Sequence, residues 1–309
     1  MAFFTGIFTF WLRPTSTQGL PEYLGSALRG GFGRAFRRSV CVLRRSTCDA
    51  CPLAAQCPYL HVFETPAPSG VKFLAQDARA PHPFVITPPG PGVTVERDVP
   101  VRVVLAGRAL DYLPHFVWAF RKLGEEGLGG ARVPFSLERI TQEEETGAPA
   151  TLYDAGGSLL ASNPRLERLL VDGNGETAHA VELHFLTPLR LRHRRRLVVR
   201  LSFDMLITNI LRRLTLLDQC HGDGGWRVDH KALIEQSRTV RIAGANLRWF
   251  DWTRYSSRQR TKMQMGGLLG RIRFEGELTP FMPLLRAAEV VNVGRNTSFG
   301  LGRMVVRKV

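Results

Sequence analysis

The chain has 309 residues, 44% of them hydrophobic, enough for two domains with cores of their own. Its formal net charge is +15, and the excess is unevenly placed: residues 181–309 hold 24 Lys+Arg against 10 Asp+Glu, and residues 1–180 hold 18 against 17. No apolar run reaches the length of a membrane span, and the basic excess makes a polyanion the expected partner. Only Lys72, Lys122, Lys231, Lys262 and Lys308 of the 42 basic residues are lysines. Arginine offers a planar fork suited to phosphates and to stacking on bases. A GC-rich genome would explain the Arg/Lys ratio but not the asymmetry.

Residues 2–13 read as a central strand, apolar on both faces. No basic residue precedes this run and Thr5, Gly6 and Thr9 interrupt it, so it reads as a strand rather than a signal peptide. The expected compartment is the cytoplasm, where five cysteines argue against a disulfide framework. Residues 19–38 read as a helix with the stripe Leu20, Leu24, Leu28, Phe32 and Phe36; Arg29, Arg34, Arg37 and Arg38 lie off it. Its glycines, Gly25, Gly30, Gly31 and Gly33, each cost about 1 kcal/mol against alanine, which calls for close packing or a close ligand. A cysteine-rich insert, 41–57, and a Pro-rich stretch, 64–96, with a short strand at 84–87, come next. A strand at 99–106, a helix at 110–123 and a strand at 132–141 follow, with 144–179 an appended hairpin and linker.

Strand, helix, strand, strand, helix, strand is the order of the ferredoxin-like unit. It recurs as a strand at 179–192, a helix striped by Phe203, Leu206, Ile207, Ile210, Leu211, Leu214 and Leu217, strands at 238–250 and 266–276 around a basic loop, a helix at 280–288 and a strand at 303–308. The expected class is therefore α+β: two tandem ferredoxin-like (βαββαβ) domains, 1–178 and 179–309. The first carries the insert, and the second a glycine-rich loop.

That loop, Asn292-Val293-Gly294-Arg295-Asn296-Thr297-Ser298-Phe299-Gly300-Leu301-Gly302, joins the last helix to the last strand. Glycines permit positive φ, and successive N–H groups in such a loop can form an anion-binding nest. Arg190, Arg192, Arg194, Arg195 and Arg196 form a run at a strand end, and Arg254, Arg258 and Lys262 share a segment with Trp252 and Tyr255. Cations interleaved with aromatics suit phosphate contact plus base stacking. RNA contacts are expected from these arginines, from Arg29, Arg34, Arg37 and Arg38, and from Gly294, Arg295, Asn296, Thr297, Ser298, Phe299, Gly300 and Gly302.

In these segments the chain resembles the CRISPR-associated endoribonucleases that process precursor crRNA, members of the RAMP superfamily. Their loop pattern, G-φ-G, five residues, G-φ-G, is matched here by residues 292–302 with Asn292 in place of the first glycine. Leu28-Arg29-Gly30-Gly31-Phe32-Gly33 and the stretch from Trp249 to Gly267 are also similar. The resemblance implies binding of CRISPR repeat RNA and metal-independent cleavage through the 2′-OH, leaving mature crRNA. It also allows a catalytically inactive, RNA-holding subunit of an effector complex. Many members carry a histidine base in or just after the first helix; none lies in 19–38, and His61 is the nearest substitute. Tyr255 would orient or donate a proton, with Arg258 and Lys262 stabilising the phosphorane. No carboxylate cluster suits a two-metal site.

Cys41, Cys48, Cys51 and Cys57 give C-x6-C-x2-C-x5-C, four thiolates close enough for one metal centre. The spacing matches the 4Fe-4S loop of endonuclease III-type DNA glycosylases, so an iron–sulfur cluster, with one structural zinc ion as the alternative, is expected. On that spacing alone an iron–sulfur nucleic-acid repair enzyme is a further alternative. Cys220 stands apart.

Overall fold

The computed structural model describes residues 3–43, 47–48, 50–71, 79–94, 97–143, 148–156, 164–169, 176–193, 196–256 and 261–309. The first sheet is built on β1 (Phe4–Pro14), with β2 (Phe84–Thr87), β3 (Val99–Ala106), β4 (Phe135–Gln142) and β5 (Ala150–Asp154) in the order β2-β3-β1-β4-β5. The two-residue β6 (Glu167–Arg168) pairs with the start of β1. All its pairings are antiparallel, and β1 lies between β3 and β4, the central place expected of an apolar strand. Helices α1 (Gly25–Val40), α2 (Pro58–Phe63) and α3 (Leu113–Glu126) enclose an aromatic core in which Phe10, Phe32, Phe36, Phe116 and Phe120 are fully buried. Phe32 meets Phe116 at 4.7 Å and Phe120 at 5.1 Å, centroid to centroid. The glycines of α1 have a packing reason: a Cβ at Gly31 would run into Leu123 on α3, and one at Gly25 into the Phe299 carbonyl. Helix α1 begins at Gly25, not at residue 19. Gly19 sits at φ +83°, and the stretch to Leu24 consists of bends and turns.

In the second domain β7 (Ala180–Leu189) leads into the short hairpin of β8 (Arg192–His193) and β9 (Arg196–Leu197). Then come α4 (Phe203–His221), α5 (His230–Ser237), β10 (Arg241–Ser256), β11 (Thr261–Glu275), α6 (Met282–Val291) and β12 (Met304–Lys308). The sheet order is β10-β11-β7-β12. Ranked by position in the unit, that is second, third, first, fourth, the same permutation as β2-β3-β1-β4. The expected stripe of α4 is buried from Phe203 to Leu217.

Two expectations for this half change. In place of the basic loop expected over 251–265, strand pairing continues through Trp252↔Met265 and Tyr255↔Lys262. The aromatic and β-branched residues Trp249, Phe250, Trp252, Thr253 and Tyr255 favour extended backbone, and outweigh the charge that suggested a loop. Helix α5 was not anticipated. It is short and mostly polar, and the Asp229 side chain caps it by accepting the Ala232 N–H at 3.0 Å. Among the described residues no helix is long and apolar enough to cross a membrane.

The domains meet at the end of α6, whose last carbonyls two arginines cap. Arg102 on β3 donates to the Val290 and Glu289 carbonyls at 3.1 and 3.4 Å. Arg213 on α4 donates from Nε to the Val291 and Asn292 carbonyls at 3.0 and 3.1 Å. Burial pushes the two guanidinium groups down to about 9 and about 10, so both stay charged at neutral pH. Beside them His221 Nε2 donates to the Pro81 carbonyl at 2.6 Å, another link between the domains.

Candidate functional site

The glycine-rich loop leaves α6 at Asn292, which takes φ +57°. An asparagine serves where a glycine was expected because its side chain stitches the loop. Asn292 Nδ2 donates to the Leu301 carbonyl at 3.0 Å, with the Gly300 carbonyl and Thr87 Oγ1 at 3.4 Å. Gly294, Gly300 and Gly302 all have positive φ. A Cβ on Gly300 would lie 2.6 Å from the Ile86 carbonyl and 2.8 Å from Thr87 Cα, both on β2. The Gly300 N–H bonds the Thr297 carbonyl and the Gly302 N–H the Pro188 carbonyl, while Thr187 Oγ1 donates to the Gly300 carbonyl at 2.6 Å. Those two amides are thus engaged inside the protein, and Thr297, Ser298, Gly300 and Gly302 are buried. The loop is a joint between domains, with its outer turn, Gly294 to Asn296, left at the surface.

That outer turn carries the charge. The Arg295 N–H bonds the Arg190 carbonyl at 2.8 Å, fixing the loop against the end of β7, and Arg190 Nη1 donates to the Gly266 carbonyl on β11 at 2.7 Å. Burial and the positive charges of Arg192 and Arg212 lower the Arg295 pKa; burial, Arg295 and Arg192 lower that of Arg190. Among the described residues neither Arg192 nor Arg295 has a carboxylate in ion-pair range. This is a cluster of like charges that an anion would relieve. Arg212, on the exposed side of α4, completes it and carries no motif, because only the fold brings it to the loop.

The first domain closes the other side. Tyr23 OH donates to the Phe299 carbonyl at 2.9 Å, and the Tyr23 ring meets Trp252 edge-on at 5.1 Å. Trp252 Nε1 reaches Ser26 Oγ at 3.5 Å, so the β10–β11 hairpin leans on the start of α1. The Arg29 guanidinium lies 4.6 Å from the Phe63 ring and 5.7 Å from Phe299, and touches His82 Nε2. Tyr23, Ser26 and His82 carry no motif that would have marked them.

Other expected residues fall elsewhere. Arg34 is exposed on α1, and Arg38 forms an ion pair with Glu126. Arg37 lies over the Tyr59 ring at 5.5 Å beside the cysteines. Arg196 is exposed opposite His193. Arg194, Arg195 and Arg258 lie outside the described residues. Arg254, Tyr255 and Lys262 are placed near the hairpin tip by backbone register alone. His61 occupies α2 in a cavity of about 350 Å³ with Cys48 and Arg79, and its Nδ1 is 2.6 Å from Tyr112 OH. Burial and Arg108 lower its pKa. No contact made by the described residues joins His61 to the glycine loop. A cleft of about 920 Å³ opens between the free face of the first sheet and β7, with Trp11, Arg97, Arg102 and Arg303 on its walls.

Two ferredoxin-like domains are locked through a glycine loop that carries arginines at its outer turn. Residues 4–165, more than half of the chain, match the family model of an N-terminal domain, AF_1859_N, and residues 183–304 match that of the CRISPR-associated endoribonuclease Cas6. The chain belongs to the family with the AF_1859_N N-terminal domain, and its second half is similar to the Cas6 endoribonucleases. An uncharacterized protein of Archaeoglobus fulgidus is 24% identical over 296 residues, 93% of either chain. Thermus thermophilus Cas6 superimposes with a TM-score of 0.57 at 16% identity, covering 99% of this chain and 100% of that one. Its product complex gives 0.59 at 17%, covering 98% and 99%. At these identities the structural likeness establishes the fold.

Proposed function

We propose that the chain binds CRISPR repeat RNA along the seam of α1, the glycine loop and the β10–β11 hairpin, and cuts precursor crRNA there to give mature crRNA. The observation that carries this reading is the arginine cluster, Arg190, Arg192, Arg212 and Arg295, at the outer turn of the loop. Aromatic side chains flank it, and the large cleft offers a cationic path for an unpaired strand. Further CRISPR effector subunits are the expected protein partners, and the cytoplasm the expected compartment.

The reaction asks little of the protein, because RNA supplies the nucleophile. The 2′-OH loses its proton, O2′ bonds to phosphorus, the bond to O5′ breaks and O5′ takes up a proton. The products are a 2′,3′-cyclic phosphate and a 5′-hydroxyl. Arginines that hold the phosphate in line and stabilise the phosphorane supply the main contribution, and no metal is required. His61, Tyr255, Arg258 and Lys262 remain the proposed base, proton donor and phosphorane contacts. The engagement of His61 with Tyr112, away from the loop, favours the second reading: an RNA-holding subunit without cleavage.

Repeat RNA in EDTA, with and without one 2′-deoxy nucleotide at the cut, tests the mechanism. Cleavage in EDTA that the deoxy substitution abolishes is expected. Cleavage that survives it rules the mechanism out, and a rate unchanged in His61→Ala removes that residue from it.

A further inference from the structure

We propose that Cys41, Cys48, Cys51 and Cys57 form a structural metal centre with four thiolate ligands, separate from the RNA seam. All four sit where backbone turns hold them. Cys41 follows α1, its N–H bonded to the Arg37 carbonyl at 2.8 Å. The Cys51 N–H reaches the Cys48 carbonyl at 3.4 Å, and its own carbonyl accepts the Ala54 N–H at 3.1 Å. The Cys57 N–H bonds the Ala54 carbonyl, and Cys57 is the first residue outside α2, accepting the His61 N–H at 3.1 Å. Turns thus link Cys51 to the start of a helix at Cys57.

The surroundings suit such a centre. The four thiols are half-buried, none in a disulfide. Cys48 lies within electrostatic range of Cys41, Cys57 and the Arg37 guanidinium. Four thiolates around zinc or around an oxidised 4Fe-4S cluster leave a negative centre, which a neighbouring arginine offsets.

The insert also needs a cross-link. Its described apolar residues Val42, Leu43 and Leu53 are 77%, 38% and 46% exposed, so it has no core of its own. Loops of this length that lack a core are uncommon in compact domains, and metal binding supplies the missing folding energy. Among the described residues no three His, Cys, Asp or Glu side chains form a metal cage, and in this proposal metal binding draws the four thiols together. The centre would tie the end of α1 to α2, which carries Phe63 beneath Arg29.

The test is metal and acid-labile sulfide analysis with visible absorption, on the full chain purified without oxygen and again after reconstitution with iron and sulfide or with zinc. About four iron and four sulfide per chain, with broad visible absorption, identify a cluster. About one zinc in colourless protein identifies zinc. Either supports the centre if Cys48→Ser and Cys51→Ser lose the metal while Cys220→Ser keeps it. Substoichiometric metal after both reconstitutions, or a melting temperature indifferent to loading, overturns it. Should the ligand variants fail to fold, the wild-type and Cys220→Ser stoichiometries decide.

Discussion

Burial lowers the pKa of Arg295 and of Arg190 in the free protein, and the positive charge of Arg192 lowers both further. If the cluster exists to hold phosphate, Arg192→Gln and Arg295→Gln each weaken repeat-RNA binding. Each also flattens the dependence of log K on log salt by about 0.7, the value for one phosphate contact on a single strand. The melting temperature stays the same or rises, since a repulsion has been removed. Titrations at several salt concentrations, beside thermal melts, check this; an unchanged slope with a lower melting temperature would make the arginines structural. The run of arginines was visible in the sequence, but not which of them act together. Arg38 lies one position from Arg37, yet pairs with Glu126 while Arg37 turns to the cysteines. Only α4 beside the loop reveals Arg212. His61 is the histidine nearest the first helix along the chain, yet it pairs with Tyr112 rather than with the glycine loop.

The glycine loop and α1 put one residue type to different uses. Gly300 is locked at φ +82° against β2, so Gly300→Ala strains the backbone and crowds the Ile86 carbonyl. A loss of about 2 kcal/mol or more is expected in denaturant unfolding. On α1, a Cβ at Gly30 would meet nothing nearer than Arg34 Nη1 at 3.9 Å, so Gly30→Ala should gain up to about 1 kcal/mol. Equal effects at both positions would contradict the packing described for the loop. Elements with a clean period were legible: the stripe of α4 places it almost to the residue, and β3 has the expected bounds. Elements whose signals conflict were not. Apolar residues ahead of α1 extended its reading into turns, and charge hid the strand character of the hairpin.

At the scale of the molecule, the repeated strand order is what the sequence made plainest, and the seam is what it could not show, because the seam joins residues a hundred or more positions apart. His82 and His221 lie in it with pKa values pushed down to about 3 and about 4 by burial, to which Arg213 adds for both and Arg29 for His82. An unfolded histidine titrates near 6.5, so between these values the unfolded chain binds more protons. Stability is therefore full above pH 6.5 and falls as pH drops toward 4. The shifts correspond to about 2 kcal/mol per histidine at pH 5, and partial exposure of both rings reduces that to roughly 1 kcal/mol each. Thermal melts from pH 7.5 to 5 should show the loss, reduced in His221→Gln; a flat profile would contradict it.

The central claim is that this seam cuts RNA as well as holding it. The most direct measurement is single-turnover incubation of the protein with a transcript of the CRISPR repeat from its own genome, with the ends mapped. One cut per repeat, leaving a 2′,3′-cyclic phosphate and a 5′-hydroxyl, is the predicted result. A transcript bound tightly but left intact would contradict the claim and make the protein a holder of RNA.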